Sequence, residues 1–171
     1  MRFFMTRMVF SVISLFFVVV VGFNGGSEAA NVNLPTLELP KADDLSALVE
    51  FSQKQHLPIL LMYSAEDCEY CDLLEAEVLR PMMISGELGK RVIFRKIDVD
   101  DIATIKDFNG KAIDPEKFAF SKGVQVTPTL QFVDGNGDEL VPKIIGYQGT
   151  EFFNAYLDSA ILNSKEKLSD H

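Results

Sequence analysis

The run ILLMY, residues 59–63, is continuous and apolar, and a polar loop follows it. A short run of this kind reads as a strand buried on both faces rather than as a helix. Beyond the loop, Cys71, Leu74 and Val78 fall at helical spacing. CEYCDLLEAEVLR therefore reads as a helix running to Pro81, where it ends or kinks. RVIFRKIDV (91–99) reads as a second strand. Strand, helix and strand in succession imply a parallel pair, so the chain belongs to the α/β class.

Asp43 and Asp44 precede Leu45, Leu48 and Val49, and acids suit the first turn of a helix that ends near His56, before Pro58. Residues 100–114 carry little periodicity, with Asn109-Gly110 as a turn. Asp114-Pro115 is an N-cap and first-turn pair for a short helix through Ser121. Strands are expected at about 129–134 and 140–146, joined by the hairpin turn DGNGD. Thr150 is placed to cap a last helix, in which Phe153, Tyr156, Leu157, Ala160 and Ile161 form one apolar stripe. Phe118, Phe120, Phe132, Phe152 and Phe153 are assigned to the core, Met82 and Met83 to filling gaps in it, and His56 to a structural role.

Arg2 and Arg7, an apolar run over 8–23 and the small, polar stretch NGGSEAAN describe a secretory signal peptide cut after Ala29. The alternative is an uncleaved anchor, but the run is shorter than the roughly 20 residues a spanning helix needs. Both readings export the rest of the chain, to the periplasm in a bacterium. The expected layout is a signal peptide over 1–29, a linker over 30–42, one domain over 43–163 and a polar tail over 164–171. Losing residues 1–29 removes Arg2, Arg7 and Glu28 from totals of 16 Lys+Arg and 25 Asp+Glu, which leaves a net charge of −10. That charge repels phosphate backbones and argues against nucleic acid as a partner.

The chain has two cysteines, Cys68 and Cys71, within SAEDCEYCDLLEAE, where Glu66, Asp67, Glu69, Asp72, Glu75 and Glu77 surround them. A structural zinc site needs four ligands. The two histidines are His56 and His171, so metal binding is a poor match. A disulfide closing so small a loop would stabilise by roughly 2 kcal/mol, which makes it a weak staple. Redox chemistry accounts for the spacing better. At a helix start, thiols three residues apart can close a disulfide. The first, Cys68, is favoured as a thiolate by the positive helix end and acts as nucleophile; the second, Cys71, is shielded one turn in and resolves the mixed disulfide. Further on, VTPT places Pro128 just before a strand, where it cannot donate to the ladder. It is either an ordinary strand-start proline or part of a loop that meets the cysteines.

LLMYSAEDCEYC, VTPTLQFVDGNGDE, Gly146 in KIIGY and the last amphipathic helix together resemble the thioredoxin superfamily over about residues 43–163. CEYC…VLRPMM and TPTLQFVDGNGDE…IIGYQGTEFFNAYL look most like its exported bacterial members, the SoxW-like thioredoxins and the C-terminal domain of DsbD. The resemblance implies a three-layer α/β/α sandwich with a mixed sheet, dithiol–disulfide exchange and a cis-proline loop at Pro128. With the Thr127-Pro128 bond cis, that turn leaves an unbonded backbone edge free to pair with a substrate strand; Tyr70, between the cysteines, is either a further contact for the substrate or an ordinary surface aromatic. The family commonly has an aromatic residue before the first cysteine, where this chain has Asp67. Thioredoxin has a buried acid six residues before that cysteine, where this chain has Met62. The Cys71 proton must then leave by another route, through Glu66 or water.

Glu66, Asp67 and Glu69 are read as modulators of the thiol. A carboxylate about 7 Å from a thiolate costs it roughly 0.6–2.4 kcal/mol, which raises the thiol pKa and favours the disulfide form. The expected function is an exported thiol–disulfide oxidoreductase, acting as reductant on protein disulfides. It would be monomeric, without a dissociable cofactor or stable metal, and served by a membrane thiol-reductant donor. The alternative is a thioredoxin-fold adaptor whose disulfide is permanent.

Overall fold

A computed structural model describes residues 37–170. The expected signal peptide, most of the expected linker and His171 lie outside them. Ile59–Ser64 form β1, buried along its whole length. It pairs in parallel with β2, Ile93–Asp98, and antiparallel with β5, Thr129–Val133. β6, Ile144–Ile145, completes a mixed sheet in the order β2-β1-β5-β6. Because β1 is central, both of its faces are covered, which is why ILLMY shows no alternation.

Alternate residues of β1 feed two cores. Leu60 and Met62 point into one with Cys71, Leu74, Val78, Phe132 and Leu157; Ile59, Leu61 and Tyr63 point into the other with Leu45, Ile97, Phe118 and Val133. The first core is closed by a long helical run and by α6, Thr150–Ser169. The second is closed by α1, Ser46–Gln55, and α5, Pro115–Ser121. The result is the expected α/β/α sandwich.

The helical run does not stop at Pro81. It comprises α2 (Glu69–Leu74), a π-helical turn (Glu75–Leu79) and α3 (Arg80–Ile84); α4, Glu87–Arg91, follows. Proline removes a backbone donor from a helix interior. The chain widens its turn just before Pro81 instead of ending there.

Several sequence expectations are corrected or filled in. Phe120, Phe152 and Tyr156, expected to face the core, are exposed, and of the strand expected over 140–146 only Ile144–Ile145 is regular. Residues 39–42, expected as the end of a linker, lie along β2. Ala42 donates to the Lys96 carbonyl, Lys96 donates to that of Pro40, and Leu39 and Ala42 are buried. The weak stretch 100–114 contains a small hairpin, β3 (Ile105–Lys106) with β4 (Ala112–Ile113). It places Ile105 and Phe108 in the second core. A Cβ on Gly137 would stand 2.4 Å from the Phe108 ring, so this insertion packs against the DGNGD turn where glycine is required. Thr150 makes no capping hydrogen bond; Gly149 is the N-cap. Finally, the tail expected to be polar and frayed is helical to Ser169, because buried Leu157, Ile161 and Ser164 prolong the stripe by another turn.

Asp44 accepts from the Ala47 N–H at 3.2 Å and pairs with Lys106 Nζ at 2.8 Å, which joins α1 to β3. The Lys106 hydrogen bond, then that of Ser46, lowers the Asp44 pKa from 3.8 to about 2. A lowered pKa contributes stability that is present above the unfolded value and lost as pH falls through the folded one. The Ala47 amide should therefore keep its hydrogen-exchange protection at about pH 4 and lose it as pH approaches about 2. Loss already at about pH 4 would contradict the pairing.

Candidate functional site

Cys68 closes the loop after β1 and is the N-cap residue of α2, with extended backbone. Its Sγ accepts from the Cys71 N–H at 3.3 Å and from Thr127 Oγ1 at 3.4 Å. The two cysteines form a disulfide with their Cα atoms 5.2 Å apart. Their exposure differs: Cys68 is half-buried and Cys71 is sealed in the first core. One sulfur is open to attack from outside, and the other can reach only its partner.

Thr127 and Pro128, 59 and 60 residues away in sequence, arrive at the cysteines because β5 lies beside β1. The Thr127-Pro128 peptide bond is cis. The Pro128 carbonyl accepts from the Gly146 N–H at 2.8 Å, which ties the loop to the end of β6. Tyr70 stands between the cysteines and is 57% exposed.

The six acids of the cysteine segment separate into two kinds. Glu66, Asp67, Glu69 and Asp72 are exposed, and none donates to or accepts from a cysteine sulfur. The Glu66 N–H is held by Asp100 Oδ2 at 2.8 Å. Glu77 accepts from the Tyr147 hydroxyl, whose pKa burial and this carboxylate together push up to about 12.

Glu75 is different. It lies one turn beyond Cys71, is 3% exposed and is the one buried charged side chain among the described residues. Arg80 donates to its Oε2 at 3.0 Å. Lys96 Nζ forms an ion pair with its Oε1 at 2.7 Å, so each carboxylate oxygen faces a cation. Lys96 also reaches Asp98 at 3.2 Å, and Asp98 reaches Lys41 at 2.7 Å. Burial lowers the Lys96 pKa, but Glu75 and Asp98 outweigh it and hold the ammonium above its ordinary value. Burial likewise raises Asp98, and Lys41 and Lys96 reverse it to a net lowering. A line of alternating charge thus runs from below the disulfide to the surface.

Sequence reasoning counted Glu75 among six acids and gave it no part. The signal was present: Cys71, Leu74, Glu75 and Val78 occupy i, i+3, i+4 and i+7, so an acid there must face the core. Met62, at the strand position where thioredoxin has its acid, is wholly buried and packs in the core that also holds Cys71. Among the described residues no three of His, Cys, Asp or Glu stand where they could hold a metal ion.

A half-exposed and a buried sulfur, joined at the mouth of a helix beside a cis-proline loop, make this the site of a thiol–disulfide oxidoreductase. A family model for the thioredoxin-like domain matches residues 46–161, and the chain belongs to that family. Among solved structures, DsbH oxidoreductase is 17% identical, with 73% of this chain and 86% of that one covered and a TM-score of 0.56. Thioredoxin NaTrxh from Nicotiana alata is 20% identical over 75% of this chain and 96% of that one, with a TM-score of 0.49. The periplasmic thioredoxin SoxS from Paracoccus pantotrophus is 22% identical over 63% and 98%, with a TM-score of 0.44. No curated protein matches the chain by sequence.

Proposed function

We propose that this protein is exported and reduces disulfides in other proteins. The observation that carries the reading is the contrast between the two sulfurs, with Cys68 open beside Thr127 and Cys71 sealed behind it. In the reduced protein, the Cys68 thiolate attacks one sulfur of a substrate disulfide. The other substrate sulfur leaves as a thiolate and takes a proton. Cys71, deprotonated in turn, attacks Cys68 Sγ, so that the second substrate sulfur departs and the Cys68–Cys71 disulfide forms. Two electrons and two protons pass to the substrate. The Thr127-Pro128 loop and Tyr70 position the incoming chain. A membrane thiol donor outside the cytoplasm then restores the dithiol.

The proton of Cys71 needs an acceptor, and Glu66 lies on the exposed side of the pair. Glu75 suits the task better. It is a carboxylate one helical turn from Cys71, on the same buried face, and Lys96 is placed to pass its charge and proton toward the surface. The cations Lys96 and Arg80 keep a charge there tolerable.

The direction of electron flow follows from the acids. Glu66, Asp67 and Glu69 stand at the mouth of the site and disfavour the Cys68 thiolate, which favours the disulfide and makes the dithiol a stronger reductant. An equilibrium titration against glutathione should give a potential more negative than about −180 mV. A value near the roughly −120 mV of a strong oxidant would overturn the direction while leaving the exchange chemistry intact.

A further inference from the structure

Phe118 and Phe120, assigned together to the core from sequence, part company in the fold: Phe118 is buried and Phe120 is 75% exposed. Phe120 does not stand alone. It lines a groove of about 440 Å³ with Val99, Ala119, Val126 and Thr127, and Val126 is itself 54% exposed. Two large apolar side chains face solvent in one groove of the described structure. That arrangement marks an interaction surface more often than scattered exposed residues do.

The groove leads to the disulfide. Its Thr127 end is the residue that donates to Cys68 Sγ. Its Val99 end adjoins Asp100, whose carboxylate holds the backbone of Glu66, two residues before Cys68.

The rim is charged with one sign. Glu116 lines the groove, Asp100 borders it, and Glu66, Asp67 and Glu69 continue the acids to Cys68. No Lys or Arg lines it. Lys117 follows Glu116 on α5 without lining the groove, and Lys122 turns away to the Gly137 carbonyl at 2.7 Å. An occupant with acidic flanks would meet like charge at Glu116 and along the acids toward Cys68, whereas one with basic flanks would be attracted there.

We propose that this groove, where it adjoins the Thr127-Pro128 loop already assigned to the incoming chain, selects a substrate disulfide flanked by a large apolar side chain and by Lys or Arg. The apolar side chain lies against Phe120 and Val126, and the basic residues face Glu116, Asp100 and the acids before Cys68. This selection rests on the reductase reading above and adds the substrate's chemistry to it.

The test uses the reduced protein and three probes. Two are peptides carrying one cysteine as a mixed disulfide with thionitrobenzoate, one flanked by Phe and two Lys, the other by Phe and two Glu. The third is dithiodipyridine, a small neutral disulfide with nothing to dock. The Lys peptide should react at least about 10-fold faster than the Glu peptide at low salt, an advantage of the size charge steering gives. That advantage should vanish in about 1 M salt, where screening acts over about 3 Å. Phe120→Ala should slow the Lys peptide about 10-fold, as loss of an apolar anchor does, and leave dithiodipyridine unchanged. Ile84→Ala, an exposed apolar change at the far end of the helical run, should alter neither. Equal rates for the two peptides, or a Phe120→Ala effect shared by Ile84→Ala, would overturn the docking proposal. So would a self-associating protein that Phe120→Ala renders monomeric, since a second copy would then occupy the groove. A protein inert to dithiodipyridine would overturn the reductase reading and this proposal with it.

Discussion

Cys71→Ser in the reduced protein is expected to halt the reaction halfway, with substrate chains held on Cys68 as mixed disulfides. Cys68 remains the accessible sulfur, so the first exchange still proceeds. The sulfur that would release the product is gone, and a serine hydroxyl does not attack a disulfide at neutral pH. Turnover with a disulfide-bonded protein should fall about 10³-fold or more, the scale of losing a group that acts as part of a unit. The trapped adduct should appear on non-reducing gels and disappear with dithiothreitol. Cys68→Ser should lose turnover to the same degree and trap nothing, because Cys71 is sealed from solvent. Adducts of equal amount on both variants would contradict the assignment of the two sulfurs.

The second large effect concerns stability. Glu75→Ala removes the one buried carboxylate of the described residues and leaves Lys96 and Arg80 facing each other without it. Breaking a fully buried pair costs about 3–5 kcal/mol; both cations here keep some solvent contact, which places the cost near the low end, about 3 kcal/mol. For a domain of this size that corresponds to a fall in Tm of roughly 10 °C. The double variant Glu75→Leu with Lys96→Met should recover much of the loss, since an apolar replacement of a buried pair is often tolerated. It should still release product slowly from the mixed disulfide, because the buried carboxylate proposed to take the Cys71 proton is gone. A melting temperature within about 2 °C of the parent for Glu75→Ala would show that the buried charge network carries no stability. Normal release by the double variant would show that Glu75 carries no proton.

How much of this was legible beforehand varied with the physics behind each feature. β1 and the helix after it were legible because a central strand needs no polar residue and its partner helix needs a single stripe. The Asp114 cap was legible because it is a local device, and its side chain does accept the Lys117 N–H. The end of the second hairpin strand was not. Leu140, Val141 and Pro142 carry apolar side chains, yet only Ile144–Ile145 pair in regular fashion with β5. An edge strand makes few ladder bonds, and sequence pattern does not count them. Residues 39–42 and 105–113 carry no pattern of their own for one reason: their order comes from β2, α1 and the DGNGD turn, all distant in sequence. The cysteines announced themselves through spacing, whereas Glu75 sat in plain view within an apolar stripe. Phe120 shows the converse, since an aromatic residue in a helix next to buried Phe118 reads as core until the fold shows no element covering it.

The central claim is that the Cys68–Cys71 pair passes between disulfide and dithiol as the protein works. The most direct measurement is thiol trapping in intact cells, by rapid acid quenching and alkylation of free thiols with a mass tag. The account predicts two species at steady state, oxidised and doubly tagged, and a shift wholly to the oxidised species when the membrane thiol supply is cut. A pair that is always oxidised, and that resists reduction in the purified protein as well, would make the disulfide a fixed strut and the protein an adaptor.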